Sequence, residues 1–380
     1  MHDRWGAFTD LDPSATDGAG PLAGLSIGIK ANIAVNGLPW TAGLGTRRGV
    51  IAAHDAAVVA LLRTAGATIP GTLNMHEAAL GATSDNLFYG RTHNPHRHGF
   101  TPGGSSGGSG AAVAAGLVDA ALGTDTLGSI RIPAAYCGVY GLKPTLGAVP
   151  TKGLLHLGRD FDVIGPLARS LDMLERVWDA IKPDRAAKTD VCRVMTLKNL
   201  ADIVVQPAVR AAYDRAVATF ADVGPLTLDD APTAIRMAAL VQLLPELLAE
   251  LGDARNGPDV SPELRLVMNA IEKAAPAPDI LARTKARLIN ALGDDGILIM
   301  PTAPQTAFAH GTRAPANQAD FCCLASVAGL PAITIPAGFD GDNLPVGIQI
   351  VAPPNSEAML FKIARRLDAE LAGYAPPADL

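Results

Sequence analysis

The 380-residue chain is 48% apolar and 18% charged with a formal net charge of −6, so it can bury a sizeable core and offers no basic footprint for nucleic acid or an anionic membrane. Glycine and proline together make up about 18% of the residues, below the roughly 25–30% of low-complexity chains, which excludes a disordered polymer. The length allows two to three domain-sized units or one large α/β domain. Cys137, Cys192, Cys322 and Cys323 are too few and too irregularly spaced for a disulfide framework or a CxxC metal site, and suit buried thiols in a reducing compartment. MHDRWGAFTDLD at the N-terminus has no apolar h-region, and no uninterrupted apolar run approaches the ~18 residues of a membrane helix. A cytoplasmic protein is the expectation.

In chain order, residues 1–20 are polar and punctuated by Gly and Pro, and read as a loose N-terminal arm. Leu25–Val35 is apolar and β-branched and predicts a buried strand carrying a lone Lys30. Asp55–Ala65 predicts a helix stopped by Gly66, and 67–75 a returning strand. A Gly/Ser loop, PGGSSGGSG at 102–110, runs into an Ala-rich helix. Ala121–Thr126 predicts a short strand, and 127–138 a turn-rich segment. Ser170–Ile181 has the pattern of an amphipathic helix with Ser170 as its cap. Residues 190–290 read as Ala/Leu-rich helices, with short strands at Arg193–Leu197 and Leu226–Leu228. Ile297–Met300, Ala332–Pro336 and Val346–Val351 predict strands, and Ser356–Leu371 a closing helix. Strands alternating with helices argue for an α/β sheet covered by helices on both faces.

The glycine-serine loop has competing explanations. It lacks the Lys-Ser/Thr of a P-loop. Gly103–Gly107 formally matches the GxSxG nucleophile elbow, but a loop precedes it where the elbow needs a strand. A flexible linker is disfavoured by the abutting helix. The remaining reading is that its glycines let backbone approach backbone and hold hydroxyls in place. A second serine, Ser129, follows a Gly-containing turn at a predicted strand end, where successive N–H groups can converge on an oxyanion. Two kinds of base are available to it. His93, His96 and His98 form a cluster that reads as a solvated loop and, by spacing alone, as a metal or pH-sensitive patch. Lys30 in its apolar strand is either a stem-buried surface residue or a desolvated lysine with a lowered pKa.

Taken together, 21–33 (PLAGLSIGIKANI), 71–95, 102–116 (PGGSSGGSGAAVAAG), 121–150 (ALGTDTLGSIRIPAAYCGVYGLKPTLGAVP) and 328–357 resemble the amidase signature family of serine hydrolases. The resemblance spares only the first ~20 residues and the stretch 190–290. It implies one large α/β domain over 21–380, with a mixed sheet between helices, a signature core at about 71–170 and a variable helical insert at about 190–290. It also implies Ser129 as nucleophile, Ser105 as a bridging serine in a cis peptide linkage, and Lys30 as base. The oxyanion would be held by the N–H groups of Thr126, Leu127, Gly128 and Ser129; Ser106 and Asp125 would orient the triad, and Arg131 would pair within the protein. No metal or organic cofactor is implied. The chain departs from the family pattern at Ala31, where Asp is usual, at Leu127, where Gly is usual, and at Cys322 and Ser326, where Thr and Asn are usual. Its N-terminal and middle regions are shorter than in most relatives.

The expected activity is hydrolysis of a small carboxamide or urea-like amide to acid plus ammonia or amine, through an acyl-enzyme. One alternative is the glutamine-hydrolysing subunit of a tRNA-dependent amidotransferase, against which the shortened regions argue. Another is a catalytically silent assembly subunit, disfavoured by the retention of Lys30, Ser105 and Ser129. The expected partner is a small-molecule amide, with a homodimer or a small helper subunit left open, and no nucleic acid or membrane.

Overall fold

The computed structural model describes residues 3–182 and 193–378, so Cys192 lies outside the described residues. Thirteen strands are described: β1 (Phe8–Leu11), β2 (Ile27–Lys30), β3 (Gly71–Leu73), β4 (Asp85–Asn86), β5 (Gly90–Arg91), β6 (Ala120–Asp125), β7 (Tyr140–Lys143), β8 (Val163–Ala168), β9 (Arg193–Leu197), β10 (Gly224–Leu226), β11 (Gly296–Pro301), β12 (Ala332–Phe339) and β13 (Pro345–Val351). The helices of six residues or more are α1 (Ala57–Thr64), α2 (Gly107–Ala114), α3 (Arg131–Tyr136), α4 (Leu171–Ile181), α5 (Pro207–Ala218), α6 (Pro232–Leu251), α7 (Pro262–Glu272), α8 (Pro278–Leu292), α9 (Cys322–Val327) and α10 (Glu357–Leu371).

Eleven strands join one sheet in the order β1-β3-β2-β6-β8-β7-β12-β13-β11-β9-β10, while β4 and β5 form a small separate hairpin. The sheet is mixed: β2 runs parallel to β3 and β6, β8 antiparallel to β6, and β9 parallel to both β10 and β11. Successive residues of a strand point to opposite faces, and β6 shows it. Ala120 and Leu122 pack with the cluster that holds α1 and α4, whereas Ala121 packs with Ala111–Ala114 of α2 and Ala134 of α3. Helices therefore cover both faces of one α/β domain, as the sequence pattern predicts. Among the described residues no helix is long and apolar enough to cross a membrane.

Three expectations need correction. The first 20 residues are not a loose arm throughout: Trp5 and Ala7 are buried and β1 pairs with β3, because Ala7 sits in the apolar cluster under α2. The predicted strand Leu25–Val35 keeps strand geometry only over Ile27–Lys30; Ile33 N–H then closes a turn on the Lys30 carbonyl at 2.9 Å. The segment expected to be turn-rich contains α3. Pro133 is tolerated there because it lies in the first helical turn, where a backbone N–H has no intrahelical acceptor.

Other elements form as expected. Ser170 caps α4 by accepting from the Met173 N–H at 3.2 Å. Gly66 follows α1 with φ +93°, the left-handed backbone that a helix C-terminus requires.

Candidate active site

Parallel neighbours β2 and β6 end on the same side of the sheet, and that shared end carries Lys30 on one strand and Thr124 and Asp125 on the other. This is the position at which open α/β sheets place ligands. The Gly/Ser loop arrives there just before α2. Its glycines permit contacts that no side chain would: a Cβ at Gly108 would lie 2.3 Å from the Asn74 carbonyl oxygen, and one at Gly107 2.3 Å from Ser84 Oγ. The reading of the loop as a close-approach device is thereby confirmed. The Gly104–Ser105 peptide is cis.

Ser106 fastens this loop to β6. Its hydroxyl donates to the Thr124 carbonyl and accepts from the Thr124 N–H, both at 3.2 Å, and its N–H donates to the Ser129 carbonyl at 3.2 Å. Ser105 is held from the other side, its carbonyl accepting the His76 N–H at 3.0 Å. Lys30, fully buried, sends its side-chain nitrogen to Ser105 Oγ and to Thr124 Oγ1, each at 2.7 Å. Asn32 Nδ2 donates to the same Thr124 hydroxyl at 3.2 Å. Burial lowers the Lys30 pKa to about 7, against the opposing pull of the Asp162 and Asp125 carboxylates.

The turn after β6 is built around Asp125. This buried carboxylate accepts the N–H of Gly128 at 2.7 Å and of Ile130 at 3.2 Å, together with Arg131 Nε at 3.0 Å and Nη2 at 2.9 Å. Burial alone would raise the Asp125 pKa, but the adjoining guanidinium holds it below the ordinary carboxylate value. Arg131, also fully buried, spends its other donors on Gln349 Oε1 and Ser326 Oγ, both at 2.9 Å. It pairs within the protein, as expected. Gly128 N–H, one of the four expected oxyanion donors, is engaged by Asp125 Oδ1 at 2.7 Å. Among the described residues, the N–H groups of Thr126, Leu127 and Ser129 donate to no other protein group.

A cavity of about 260 Å³ opens over this turn. Thr126, Leu127, Gly128 and Ser129 form one wall, apolar side chains such as Leu157, Leu240 and Val267 form others, and His76, Arg236 and Glu263 add polar groups. Ser129 is only partly buried, unlike Lys30, Ser105 and Ser106. Burial depresses the His76 pKa to about 4, so its ring is neutral at pH 7.

The histidine cluster divides. The His93 and His98 rings stack with centroids 3.9 Å apart, while His96 turns to the Cys137 carbonyl at 3.1 Å, so the three rings do not converge. Cys137, Cys322 and Cys323 are free and buried, and burial pushes their thiols up. Sequence reasoning missed Thr124 and Asn32, although both stand beside residues it singled out. It also missed His76 and Asp162, for which the chain offered no local signal.

Comparison with known proteins agrees with this architecture. The Amidase family profile matches residues 9–361. The A subunit of glutamyl-tRNA(Gln) amidotransferase from Methanospirillum hungatei is 33% identical, with 91% of this chain and 92% of that protein covered. The solved structure of the corresponding A subunit from Thermotoga maritima superposes with a TM-score of 0.84 at 26% identity, covering 98% of this chain and 90% of that one. A structure described as a vestigial protein complex that reveals the origins of an s-triazine catabolic enzyme gives 0.83 at 32% identity, covering 94% and 86%. The chain therefore belongs to the Amidase family, and it is a hydrolase of carbon–nitrogen bonds.

Proposed function

We propose that the protein is a cofactor-independent serine amidohydrolase in which Ser129 is the nucleophile, Ser105 the relay and Lys30 the base. The observation that carries this reading is the 2.7 Å contact of Lys30 with Ser105 Oγ, in a site where burial favours the neutral amine. A serine hydroxyl attacks a carbonyl only when a base accepts its proton. In acylation, Ser129 Oγ bonds to the substrate carbonyl carbon, its proton passes to Ser105, and the Ser105 proton passes to Lys30. The N–H groups of Thr126, Leu127 and Ser129 receive the oxyanion. Collapse breaks the C–N bond as Ser105 protonates the leaving nitrogen and is itself reprotonated by Lys30. Water then attacks the acyl-enzyme by the same relay and releases the acid. The small cavity, largely apolar with a few polar groups, suits a small carboxamide or urea-like amide.

A second reading, the glutamine-hydrolysing subunit of a tRNA-dependent amidotransferase, is favoured by the relatives. The match spans 92% of the Methanospirillum protein, although its 402 positions exceed the 380 residues of this chain, so the shortening inside the matched region stands beside it. Both readings use the same chemistry, and they part on substrate and partner. In either case a partner protein is compatible with the similarity to a structure of a protein complex.

Ammonia release from malonamide, aryl and aliphatic carboxamides, urea-type amides and glutamine tests both, with wild type and Ser129→Ala compared. Release from one class that vanishes in the variant supports the triad. Glutaminase activity that rises with added partner subunits selects the second reading. Unchanged turnover in Ser129→Ala overturns the assignment, and no release under any condition favours a silent assembly subunit.

A further inference from the structure

Two buried carboxylates flank the Thr124–Thr126 segment that Lys30 contacts through the Thr124 hydroxyl, Asp125 within it and Asp162 bound to Thr126, and they differ in how they are neutralised. Asp125 is paired with Arg131. Asp162, the residue before β8, forms no ion pair with an arginine or lysine among the described residues; its close titratable partner is His156, whose Nδ1 lies 3.1 Å from Oδ2. Four donors converge on this one carboxylate. Oδ1 accepts the Thr126 hydroxyl at 2.6 Å, and Oδ2 accepts the Leu157 N–H at 2.8 Å, the Gly158 N–H at 3.1 Å and His156. Thr126 begins the turn that carries Ser129, and Leu157 lines the cavity. The residue next to the base, Ala31, supplies no carboxylate of its own.

We propose that Asp162 is a positioning residue for the reaction assigned above. It ties the turn of Thr126–Ser129 to the 156–158 loop, and its negative charge balances Lys30 while Lys30 carries the proton taken from the serines. The clamp keeps the N–H groups of the turn aimed at one point, which matters because an oxyanion hole works through donors fixed before the charge develops. The charge matters because an ammonium formed in a buried site has lost its hydration and needs a nearby anion. Among the described residues, the other charged or titratable groups acting on Lys30 are the Asp125–Arg131 pair and the neutral His76, and neither offers a carboxylate free of an arginine.

The inference rests on the Ser129–Ser105–Lys30 reading, and the test separates the two. A fluorophosphonate probe forms an Oγ–P bond with the nucleophile as the P–F bond breaks and fluoride leaves; the serine proton travels to Lys30. It reports the relay without knowledge of the substrate. The labelling rate is measured from pH 5 to 9 for wild type, Ser129→Ala, Asp162→Asn, Thr126→Val and His156→Arg.

In Asp162→Asn we expect slower labelling by roughly ten- to a hundredfold, less than the loss of a whole oxyanion donor, and an acid limb moved down by about half a pH unit or more. Thr126→Val removes the clamp and keeps the charge, so it slows labelling and leaves the acid limb in place. His156→Arg places a permanent cation on an intact carboxylate and moves the acid limb down, which keeps the charge role testable if Asp162→Asn does not fold. Acid limbs unmoved in both Asp162→Asn and His156→Arg would overturn the charge role, and undiminished labelling in Thr126→Val would overturn the clamp. Labelling that persists in Ser129→Ala would instead sink the triad on which both depend.

Discussion

Replacing Lys30 with methionine separates the cost of burying a base from the benefit of having one. A lysine whose pKa falls from 10.5 to about 7 on folding has surrendered roughly 5 kcal/mol of preference for its charged form, at about 1.36 kcal/mol per unit. The sign follows from proton counting. Below pH 7 both folded and unfolded states hold the proton and the cost is full; between 7 and 10.5 the unfolded state binds one more proton than the folded one, so stability rises with pH. A methionine side chain has no proton to lose. Wild type should therefore gain on Lys30→Met by about 1.4 kcal/mol per pH unit across that window. The absolute difference also includes the Ser105 and Thr124 hydroxyls left without Lys30, but those bonds add a nearly constant offset. Urea unfolding of both proteins at pH 6.5, 8 and 9.5 reads the slope directly. A stability difference that does not change with pH would refute the lowered pKa, and with it Lys30 as a base. The same value sets the activity profile: labelling or turnover should fall about tenfold per unit below pH 7, as Lys30 becomes protonated.

Two further predictions concern the frame that holds the site. Arg131→Met leaves Asp125 as an unpaired buried carboxylate and should cost about 3–5 kcal/mol; a loss below about 1 kcal/mol in urea unfolding would show the pair to be dispensable. Gly108→Ala drives a Cβ to 2.3 Å of the Asn74 carbonyl and 2.6 Å of the Ala7 carbonyl, both backbone atoms that cannot swing away. It should destabilise by more than the gain of about 1 kcal/mol that removing a helical glycine brings, with thermal unfolding as the check.

What the sequence disclosed follows from where the forces are local. Strand and helix alternation is written in short apolar periods, so β6, β11, β13 and α4 fall close to their predicted places. Lys30, Ser105 and Ser129 stand out as candidates because each sits in an unusual local context, a charge in an apolar strand, a serine among glycines and a serine after a Gly turn, while their roles come only with the family resemblance. Asp162 and His76 were not legible. An aspartate in GRDFDVIG and a histidine in NMHEA are ordinary residues until the fold brings Asp162 to Thr126, 36 positions away, and lays His76 in the cavity wall. The proposed oxyanion turn shows the same limit at finer scale. Four successive N–H groups read alike along the chain, and only the three-dimensional return of the Asp125 side chain removes Gly128 from the set.

A second buried lysine tests whether a lowered pKa is enough to make a base. Lys143 is subject to the same forces as Lys30: it is fully buried, and desolvation with the Arg131 charge lowers its pKa to about 7 as well. Its partners are different. Lys143 donates to the Leu330 carbonyl at 2.7 Å and the Pro144 carbonyl at 3.0 Å, and a carbonyl oxygen has no proton to give. A neutral amine has two N–H donors, and these two acceptors use both. Lys30 instead meets two hydroxyls, groups that both donate and accept, so its lone pair can receive the Ser105 proton. Partner chemistry, then, and not the pKa, distinguishes the proposed base from the strut. Lys143→Met strands two carbonyls, a constant cost of about 1–3 kcal/mol each set against the same pH-dependent relief worked out for Lys30, while the folded protein labels with an acid limb still near pH 7. Lys30→Met should abolish labelling at every pH. An acid limb that disappears in Lys143→Met, with the protein folded, would assign the titration to Lys143 and break the argument from partners.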